Sequence, residues 1–229
     1  MSSYLITGAN RGIGLELVRQ AAAAGATVFA CVRNPSAAQD LQDLADKSDG
    51  RVRVIKMDVG DEASIKESAA QLKGEPIGTL INNAGIMGTR HTPLQTSAVE
   101  FADIMRVNVL GPTLVTTAFL PNLRAAHGAK VAVISSLMGS FSYETTSYIA
   151  YSTSKTAVNR VFNALARELA SDGIHVAILS PGWVRTDMGG PNATLSVEDS
   201  ARGLLREIAR TDSTLSGKFR DYAGSKVVW

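Results

Sequence analysis

Short apolar segments alternate with longer segments of helical periodicity along this chain, and this alternation limits the possible folds more than any other feature. Seven segments are short, apolar and typical of strands: 3–7, 26–32, 51–59, 79–83, 130–136, 175–180 and 218–222. Six segments have helical periodicity: 12–24, 36–47, 62–73, 97–124, 151–171 and 197–210. Such an alternation predicts a doubly wound α/β fold, a parallel sheet of about seven strands with helices on both faces.

The composition is that of an ordinary globular protein. The chain has 229 residues, 45% hydrophobic and 19% charged, without a proline- or serine-rich linker, and we expect a single domain over 1–229. A net charge of +2 is too small to favour nucleic acid or an anionic membrane as a partner. Cys31 is the one cysteine, and no segment has the pattern of a secretory signal or a membrane span. We therefore expect a cytoplasmic protein.

The first predicted strand leads into a glycine-rich turn that opens the first predicted helix, with the sequence Gly8-Ala9-Asn10-Arg11-Gly12-Ile13-Gly14. Gly8 allows a tight turn, Gly12 lets backbone come close to a ligand, and Gly14 permits close packing of helix on strand. The N–H groups and positive dipole end of that helix favour a phosphate group. The context predicts a dinucleotide site in a Rossmann-like fold, although glycines also occur in turns that bind nothing.

Tyr151 and Lys155 begin a stripe along one face of the predicted helix 151–171. The other members of the stripe are apolar: Val158, Phe162, Leu165 and Leu169. A lysine in such a stripe either extends its ammonium to water while its stem packs, or lies where the charge is used. An ammonium beside a phenol favours the phenolate, and such a pair suits the proton transfers of carbonyl reduction and alcohol oxidation. With a dinucleotide site in the same chain, we expect the second arrangement.

Several motifs together resemble the short-chain dehydrogenase/reductase family, in the family's order and over essentially the whole length. They are TGANRGIG (7–14), Asp58-Val59, NNAG (82–85), Asn108, ISS (134–136), YSTSK (151–155) and PGWVRTDM (181–188). The last motif and the short C-terminal strand are most similar to the carbonyl reductase branch that contains C-factor and sniffer.

The resemblance implies four catalytic residues. Tyr151 is the general acid in reduction and the base in oxidation, and Lys155 lowers the pKa of Tyr151 and holds the nicotinamide ribose. Ser136 hydrogen-bonds the substrate oxygen, and Asn108 holds a water of a proton relay. Two simpler roles remain open, since Ser136 could only cap a loop and Asn108 could only satisfy backbone groups. The interval between Ser136 and Tyr151 is long, through the polar insertion 142–148, so Ser135 or Ser140 could take the serine role.

Charge at the end of the second strand indicates which cofactor is bound. NAD-selective sites usually carry a carboxylate there, whereas this strand ends in Arg33 and Asn34, and Arg11 lies in the glycine loop. Two guanidiniums suit a 2′-phosphate, so NADP(H) is expected, unless Arg33 is only a solvated charge. The cofactor-binding residues implied are Gly8, Asn10, Arg11, Gly12, Ile13, Gly14, Arg33, Asp58, Val59, Asn82, Ala84, Gly85, Tyr151, Lys155, Pro181, Gly182, Val184 and Thr186.

We expect an NADP(H)-dependent oxidoreductase that transfers hydride between the nicotinamide and a small carbonyl or alcohol substrate, as a carbonyl reductase. The alternative is a non-catalytic NADP(H)-sensing signalling protein of the same fold. The three histidines have no metal-like spacing, so no metal site is expected. The resemblance also implies a homodimer or homotetramer.

Overall fold

A single parallel sheet organises the chain. The structure is a computed structural model that describes residues 2–229. Its strands are β1 (Ser3–Thr7), β2 (Thr27–Val32), β3 (Val52–Lys56), β4 (Thr79–Asn82), β5 (Lys130–Ile134), β6 (His175–Ser180) and β7 (Phe219–Asp221). Their order is β3-β2-β1-β4-β5-β6-β7, with every neighbouring pair parallel. The predicted doubly wound α/β fold is confirmed.

The helices follow the strands as the sequence pattern predicts, with one exception. They are α1 (Gly12–Ala23), α2 (Gln39–Asp46), α3 (Glu62–Gln71), α4 (Ala98–Met105), α5 (Gly111–Ala118), α6 (Leu120–Ala125), α7 (Ile149–Glu168) and α8 (Val197–Ala209). The predicted helical segment 97–124 is helical almost throughout, but it is divided, since a π-helical turn, Arg106–Leu110, lies between α4 and α5, and α6 is separate again. Pro112 and Pro121 lack the N–H groups that a continuous α-helix needs.

Two apolar layers cover the two faces of the sheet. Alternate strand residues point to opposite faces, so that Leu5 packs beneath α3, α5 and α7, whereas Ile6 packs beneath α1, α2 and α8. Both side chains are fully buried. The strands are therefore apolar on both faces, and the polar residues collect where the strands end.

The strand order reverses beside β1. From β1 the chain crosses to β2 on one side and later to β4 on the other, so the loops after β1 and β4 diverge. In open parallel sheets, ligands bind in the crevice at such a point, beyond the carboxyl ends of the strands. The motifs quoted above all lie at this edge or on the helices that begin there.

Candidate active site

The glycine loop joins β1 to α1 in a conformation that glycine favours. Gly8 and Gly12 have φ values of +66° and +53°. A Cβ on Gly14 would lie 2.1 Å from the Gly8 carbonyl oxygen, so a side chain there would displace the loop. Arg11 is the N-cap of α1, yet no side chain caps the first turn of that helix. The first N–H groups of α1 are therefore open to an anion in the crevice.

Thr7 and Asn83 hold the glycine loop against the end of β4, and sequence reasoning did not assign either to the site. The Thr7 hydroxyl accepts hydrogen bonds from the N–H groups of Asn83 and Ala84, both at 3.1 Å. The Asn83 amide nitrogen donates to the carbonyls of Thr7 at 3.0 Å and Gly8 at 3.2 Å. A Cβ on Gly8 would lie 2.9 Å from the Ala84 Cα, which shows how close the two loops are. The signal that could have identified Thr7 and Asn83 was their position at strand ends within the quoted motifs TGANRGIG and NNAG.

Two polar residues of the predicted cofactor site, Asp58 and Asn82, lie near the carboxyl ends of β3 and β4. Asp58 follows the end of β3 by two residues instead of ending the strand, and its carboxylate accepts from the Gly60 N–H at 2.8 Å. The half-buried Val59 follows it, and a Cβ on Gly111 would lie 2.6 Å from the Val59 carbonyl oxygen. Asn82 is buried and donates to the Thr116 hydroxyl at 3.1 Å, while its amide oxygen has no partner among residues 2–229.

The two arginines of the predicted 2′-phosphate site are both exposed. Arg33 directly follows β2, at the carboxyl end of the strand, and makes no ion pair within residues 2–229. Arg11 forms an ion pair with Asp187, in the segment after β6. The exposed Asn10 and half-buried Ile13 flank this arginine and its glycine. The glycine loop and the segment after β6 are thus in contact across the crevice.

Tyr151 and Lys155 lie near the start of α7, at the end of β5. Both are buried, with 7% and 5% of their surface exposed. The Lys155 ammonium lies 5.5 Å from the centre of the Tyr151 ring and donates to the Ile134 carbonyl at 2.8 Å. Lys155 therefore does not extend to water.

Burial dominates the ionisation of both groups. It lowers the pKa of Lys155 from 10.5 to about 8. It also raises the pKa of Tyr151 from 10.0 to about 12, and a hydrogen bond with Ser136 offsets part of that rise. Loss of hydration therefore sets the direction of the shift in the cofactor-free chain, and the lowering of the phenol's pKa by Lys155 stays a prediction. Tyr151 is accordingly a protonated phenol at neutral pH.

Three serines near the end of β5 have different partners. The Ser136 hydroxyl accepts from the Met138 N–H at 3.1 Å, which caps a short turn, and also interacts with Tyr151. Ser135 donates to the Asn159 amide oxygen at 2.6 Å. Ser140 donates to the Val228 carbonyl at 2.5 Å. Among the three, Ser136 is the one that faces the phenol, and its capping role does not prevent this.

Asn108 lies in the π-helical turn, a feature that often marks functional sites. Its amide oxygen accepts from the Ile86 N–H at 2.9 Å, and its amide nitrogen donates to the Ile86 carbonyl and to the Ser154 hydroxyl at 2.8 and 2.9 Å. A Cβ on Gly85 would lie 3.2 Å from the Asn108 oxygen and 3.6 Å from the Lys155 nitrogen. Both N–H groups of the Asn108 amide therefore donate hydrogen bonds. The amide oxygen and the Lys155 nitrogen both lie beside Gly85. Sequence reasoning did not identify Ser154, which lies within YSTSK.

The segment after β6 closes the site from the other side. Pro181 anchors it, since its carbonyl accepts from the Ser200 hydroxyl of α8 at 2.7 Å, and Gly182 follows with φ +82°. Val184 is buried and pairs with Leu195, which closes residues 185–194 into a short loop. The half-buried Thr186 accepts from the Gly189 N–H at 3.1 Å, and a Cβ on Gly12 would lie 3.2 Å from its methyl group.

Within residues 2–229, no group of three histidine, cysteine, aspartate or glutamate residues is placed to hold a metal ion. None of the helices in the same range is long and apolar enough to cross a membrane.

Comparison with known proteins agrees with this geometry. The short chain dehydrogenase family matches residues 3–194. C-signal of Myxococcus xanthus is 42% identical over 158 residues, or 67% of this chain and 93% of that protein. The NADPH-bound carbonyl reductase from chicken fatty liver superposes with a TM-score of 0.93 at 34% identity, covering 100% of this chain and 99% of the other. Carbonyl reductase Sniffer of D. melanogaster gives 0.94 at 30% identity, with 100% of both chains covered. The chain therefore belongs to the short-chain dehydrogenase/reductase family.

Proposed function

We propose that the protein is an NADP(H)-dependent oxidoreductase that transfers hydride between the nicotinamide and a carbonyl or alcohol substrate, acting as a carbonyl reductase. The observation that carries the proposal is the buried Tyr151–Lys155 pair, with Ser136 beside the phenol. This group lies at the carboxyl edge of the sheet, next to a glycine loop that fits a dinucleotide. A protonated phenol and a cation in one dry site are what proton transfer to a carbonyl oxygen requires.

The residues of the crevice fit NADP(H). The uncapped start of α1 and the positive-φ backbone at Gly8 and Gly12 leave room and N–H donors for the pyrophosphate. No carboxylate follows β2, and Arg33 is exposed where a 2′-phosphate would be held, with Arg11 as its second partner. The similar chicken liver carbonyl reductase was solved with NADPH bound. When bound, NADP(H) supplies or accepts the hydride, and the chain supplies everything else.

The adenosine and nicotinamide ends of the cofactor would meet different loops. The Asp58 carboxylate and the unpartnered amide oxygen of Asn82 would accept hydrogen bonds at the adenosine, with backbone of Val59, Ala84 and Gly85 beside it. Backbone and side chains of the segment after β6 would line the nicotinamide, namely Pro181, Gly182, Val184 and Thr186. Asn10 and Ile13 complete the glycine loop around the phosphates.

In reduction, Tyr151 donates its proton to the carbonyl oxygen of the substrate. Its pKa of about 12 keeps the phenol protonated at neutral pH, so the acid is ready before the substrate arrives. Ser136 is placed to donate a hydrogen bond to the same oxygen and stabilise its developing negative charge. Lys155, with a pKa near 8, is mostly protonated at neutral pH and stabilises the phenolate that remains.

Asn108 completes the path by which the proton is replaced. Its amide oxygen and the Lys155 nitrogen both flank Gly85, so a water held by this oxygen would connect the lysine to solvent. The Asn108 amide nitrogen donates one hydrogen bond to the Ser154 hydroxyl and one to the Ile86 carbonyl, and these two bonds fix the orientation of the amide. Ser154 is therefore a positioning residue for Asn108.

Exposed apolar side chains near the site favour a substrate with an apolar body. Leu137 directly follows Ser136 and is 41% exposed, and Trp183 and Met188 of the segment after β6 are 55% and 44% exposed. The Trp183 ring is held in place, since its N–H donates to the Gly189 carbonyl at 2.8 Å.

We propose one cytoplasmic domain, 1–229, that acts on a small molecule as a homodimer or homotetramer. The exposed Ala164 and half-buried Ala157 and Val161 of α7 would form part of the subunit contact.

The test is turnover of NADPH with a panel of aldehydes, ketones and quinones, followed by nicotinamide absorbance. Tyr151→Phe should lower kcat by at least about 100-fold while the Kd for NADPH changes by less than about 3-fold. Tyr143→Phe, which alters an exposed tyrosine of the insertion, is the matched control and should retain full activity. Normal turnover by Tyr151→Phe would show that this phenol is not the acid.

A second candidate is a non-catalytic NADP(H)-sensing protein, and the similarity to C-signal is the observation that favours it. The same panel separates the two functions. Tight NADPH binding without turnover of any carbonyl would support the sensor, whereas turnover that depends on Tyr151 would exclude it.

A further inference from the structure

The outer face of α7 forms one wall of a cavity that lies outside the site described above. Thr156, Arg160, Asn163 and Arg167 follow one another at steps of four, three and four, so they share one face of the helix. Phe141 and Trp229 form the opposite wall, and the cavity between the two walls measures about 400 Å³. This is the size of many small-molecule sites.

The cavity continues past Trp229 into a second one of about 270 Å³. The two share Asn163 and Trp229, and the second is also lined by Lys218 and Lys226. Together they form a groove along α7 and the segment that returns beside β7; we call this the α7 groove.

The walls of the α7 groove are held by hydrogen bonds and packing. Asn163 donates to the Gly217 carbonyl at 2.9 Å, and the Val227 N–H donates to the Phe219 carbonyl at 2.9 Å. The ring of Trp229 packs 5.7 Å from that of Phe219, centre to centre. The groove is therefore formed before any ligand arrives, which reduces the entropy lost on binding.

The charged side chains that line the groove are all cationic. Four cationic side chains line it and no acidic side chain does: Arg160, Arg167, Lys218 and Lys226. None of the four makes an ion pair within residues 2–229, whereas most other arginines of this range do. Phe141 is 83% exposed although it is a large apolar side chain. Exposed aromatic rings beside unpaired guanidiniums form a surface that suits a ligand with both an apolar and an anionic part.

We propose that the α7 groove binds an amphipathic organic anion: a flat apolar body that lies between Phe141 and Trp229 and carries a carboxylate or sulfonate held by Arg160 or Arg167. The site is separate from the cofactor crevice, since it shares none of the residues proposed to bind NADP(H). It lies directly behind the turn that contains Ser136, because Gly139 lines the groove and also packs against the Lys155 backbone.

The probe is 8-anilinonaphthalene-1-sulfonate, added to the full chain with saturating NADP⁺ so that the cofactor crevice is filled by a form of the cofactor that does not absorb tryptophan emission. Energy transfer from tryptophan to the probe gives the position. The chain has two tryptophans, so in Trp183→Phe the signal comes from Trp229 alone. We expect saturable energy transfer in this variant and a Kd that rises at least about 10-fold in Arg160→Gln/Arg167→Gln. Lys73→Gln, which removes an exposed charge elsewhere, should leave the Kd unchanged.

Three results would overturn the proposal. The first is displacement of the probe by NADP⁺, which would place it in the cofactor crevice. The second is a Kd that is unchanged in the double arginine variant although far-ultraviolet circular dichroism shows it folded. The third is a change in oligomer mass caused by Phe141→Ser, measured by light scattering, which would make the groove a contact between copies of this chain. Because the readout is probe binding in the presence of NADP⁺, failure here leaves the proposed reductase activity unaffected.

Discussion

Replacing Lys155 with methionine should stabilise the cofactor-free protein most at neutral pH and least in alkali. The ammonium is buried and unpaired by any carboxylate, and its pKa falls from 10.5 to about 8 on folding. A lowered lysine pKa means that the unfolded chain binds more protons than the folded chain, so stability rises with pH in this interval. The cost of burying the charge is fully present below about pH 8 and is lost above about pH 10.5.

The magnitude follows from the two pKa values. At about pH 7 the buried charge costs the folded chain about 3 kcal/mol, and at about pH 9.5 it costs about 1 kcal/mol. The free energy of unfolding of the wild type should therefore rise by about 2 kcal/mol more than that of Lys155→Met between these conditions. Other groups that titrate in this interval, such as Cys31, are present in both proteins, so their effects cancel in the difference.

Urea unfolding followed by circular dichroism at both pH values gives the four free energies needed. Lys155→Met also loses the hydrogen bond to the Ile134 carbonyl, but this loss is the same at both pH values and does not enter the difference. Lys73→Met, at an exposed lysine, serves as control and should show the pH response of the wild type. Equal responses in wild type and Lys155→Met would refute the reasoning, because they would mean that Lys155 keeps its ordinary pKa in the fold.

Three further predictions concern the site and its support. Ser154→Ala should lower kcat about 10-fold and change the pH–rate profile without changing the Kd for NADPH, because Asn108 loses the partner that orients it, and steady-state kinetics across pH measure this. Arg33→Ala should raise the Kd for NADPH at least about 10-fold and the Kd for NADH by less than about 2-fold, as measured by fluorescence titration. Glu207→Ala should destabilise the fold by about 3–5 kcal/mol in urea unfolding, since it leaves the buried guanidinium of Arg220 without its carboxylate.

Each of these predictions has a control. Ser154→Thr retains the hydroxyl and should restore most of the activity, and equal losses in both variants would contradict a positioning role. If Arg33→Ala weakens both cofactors equally, the guanidinium does not contact a 2′-phosphate. Glu198→Ala, at an exposed position of the same helix as Glu207, should change stability by less than about 0.5 kcal/mol.

Local patterns were sufficient for the elements of the fold and for the catalytic pair. Each predicted strand appears in the structure, and β1 and β6 have the predicted bounds, because strands buried on both faces are continuous apolar runs. Tyr151 and Lys155 share a face because residues four apart always do on a helix. The glycine loop was recognisable because glycine adopts positive φ values, such as those at Gly8 and Gly12, without the steric cost that a side chain brings.

Contacts distant in sequence decided the rest. Ser136 was the predicted serine, with Ser135 and Ser140 as alternatives. In the structure these two alternatives bond to partners 24 and 88 residues away. Arg11 pairs with Asp187, 176 residues away, which no local pattern indicates.

The sequence alone determined the order of strands and helices, the glycine loop and the spacing of tyrosine and lysine, since all of these depend on neighbours along the chain. Only the tertiary structure decided that the phenol of Tyr151 is less acidic than in water, because burial is the sum of contacts from many elements. It also decided that Asn108 is held in a π-helical turn, with its oxygen and the Lys155 nitrogen both beside Gly85, since its partners Ile86 and Ser154 come from two other segments of the chain.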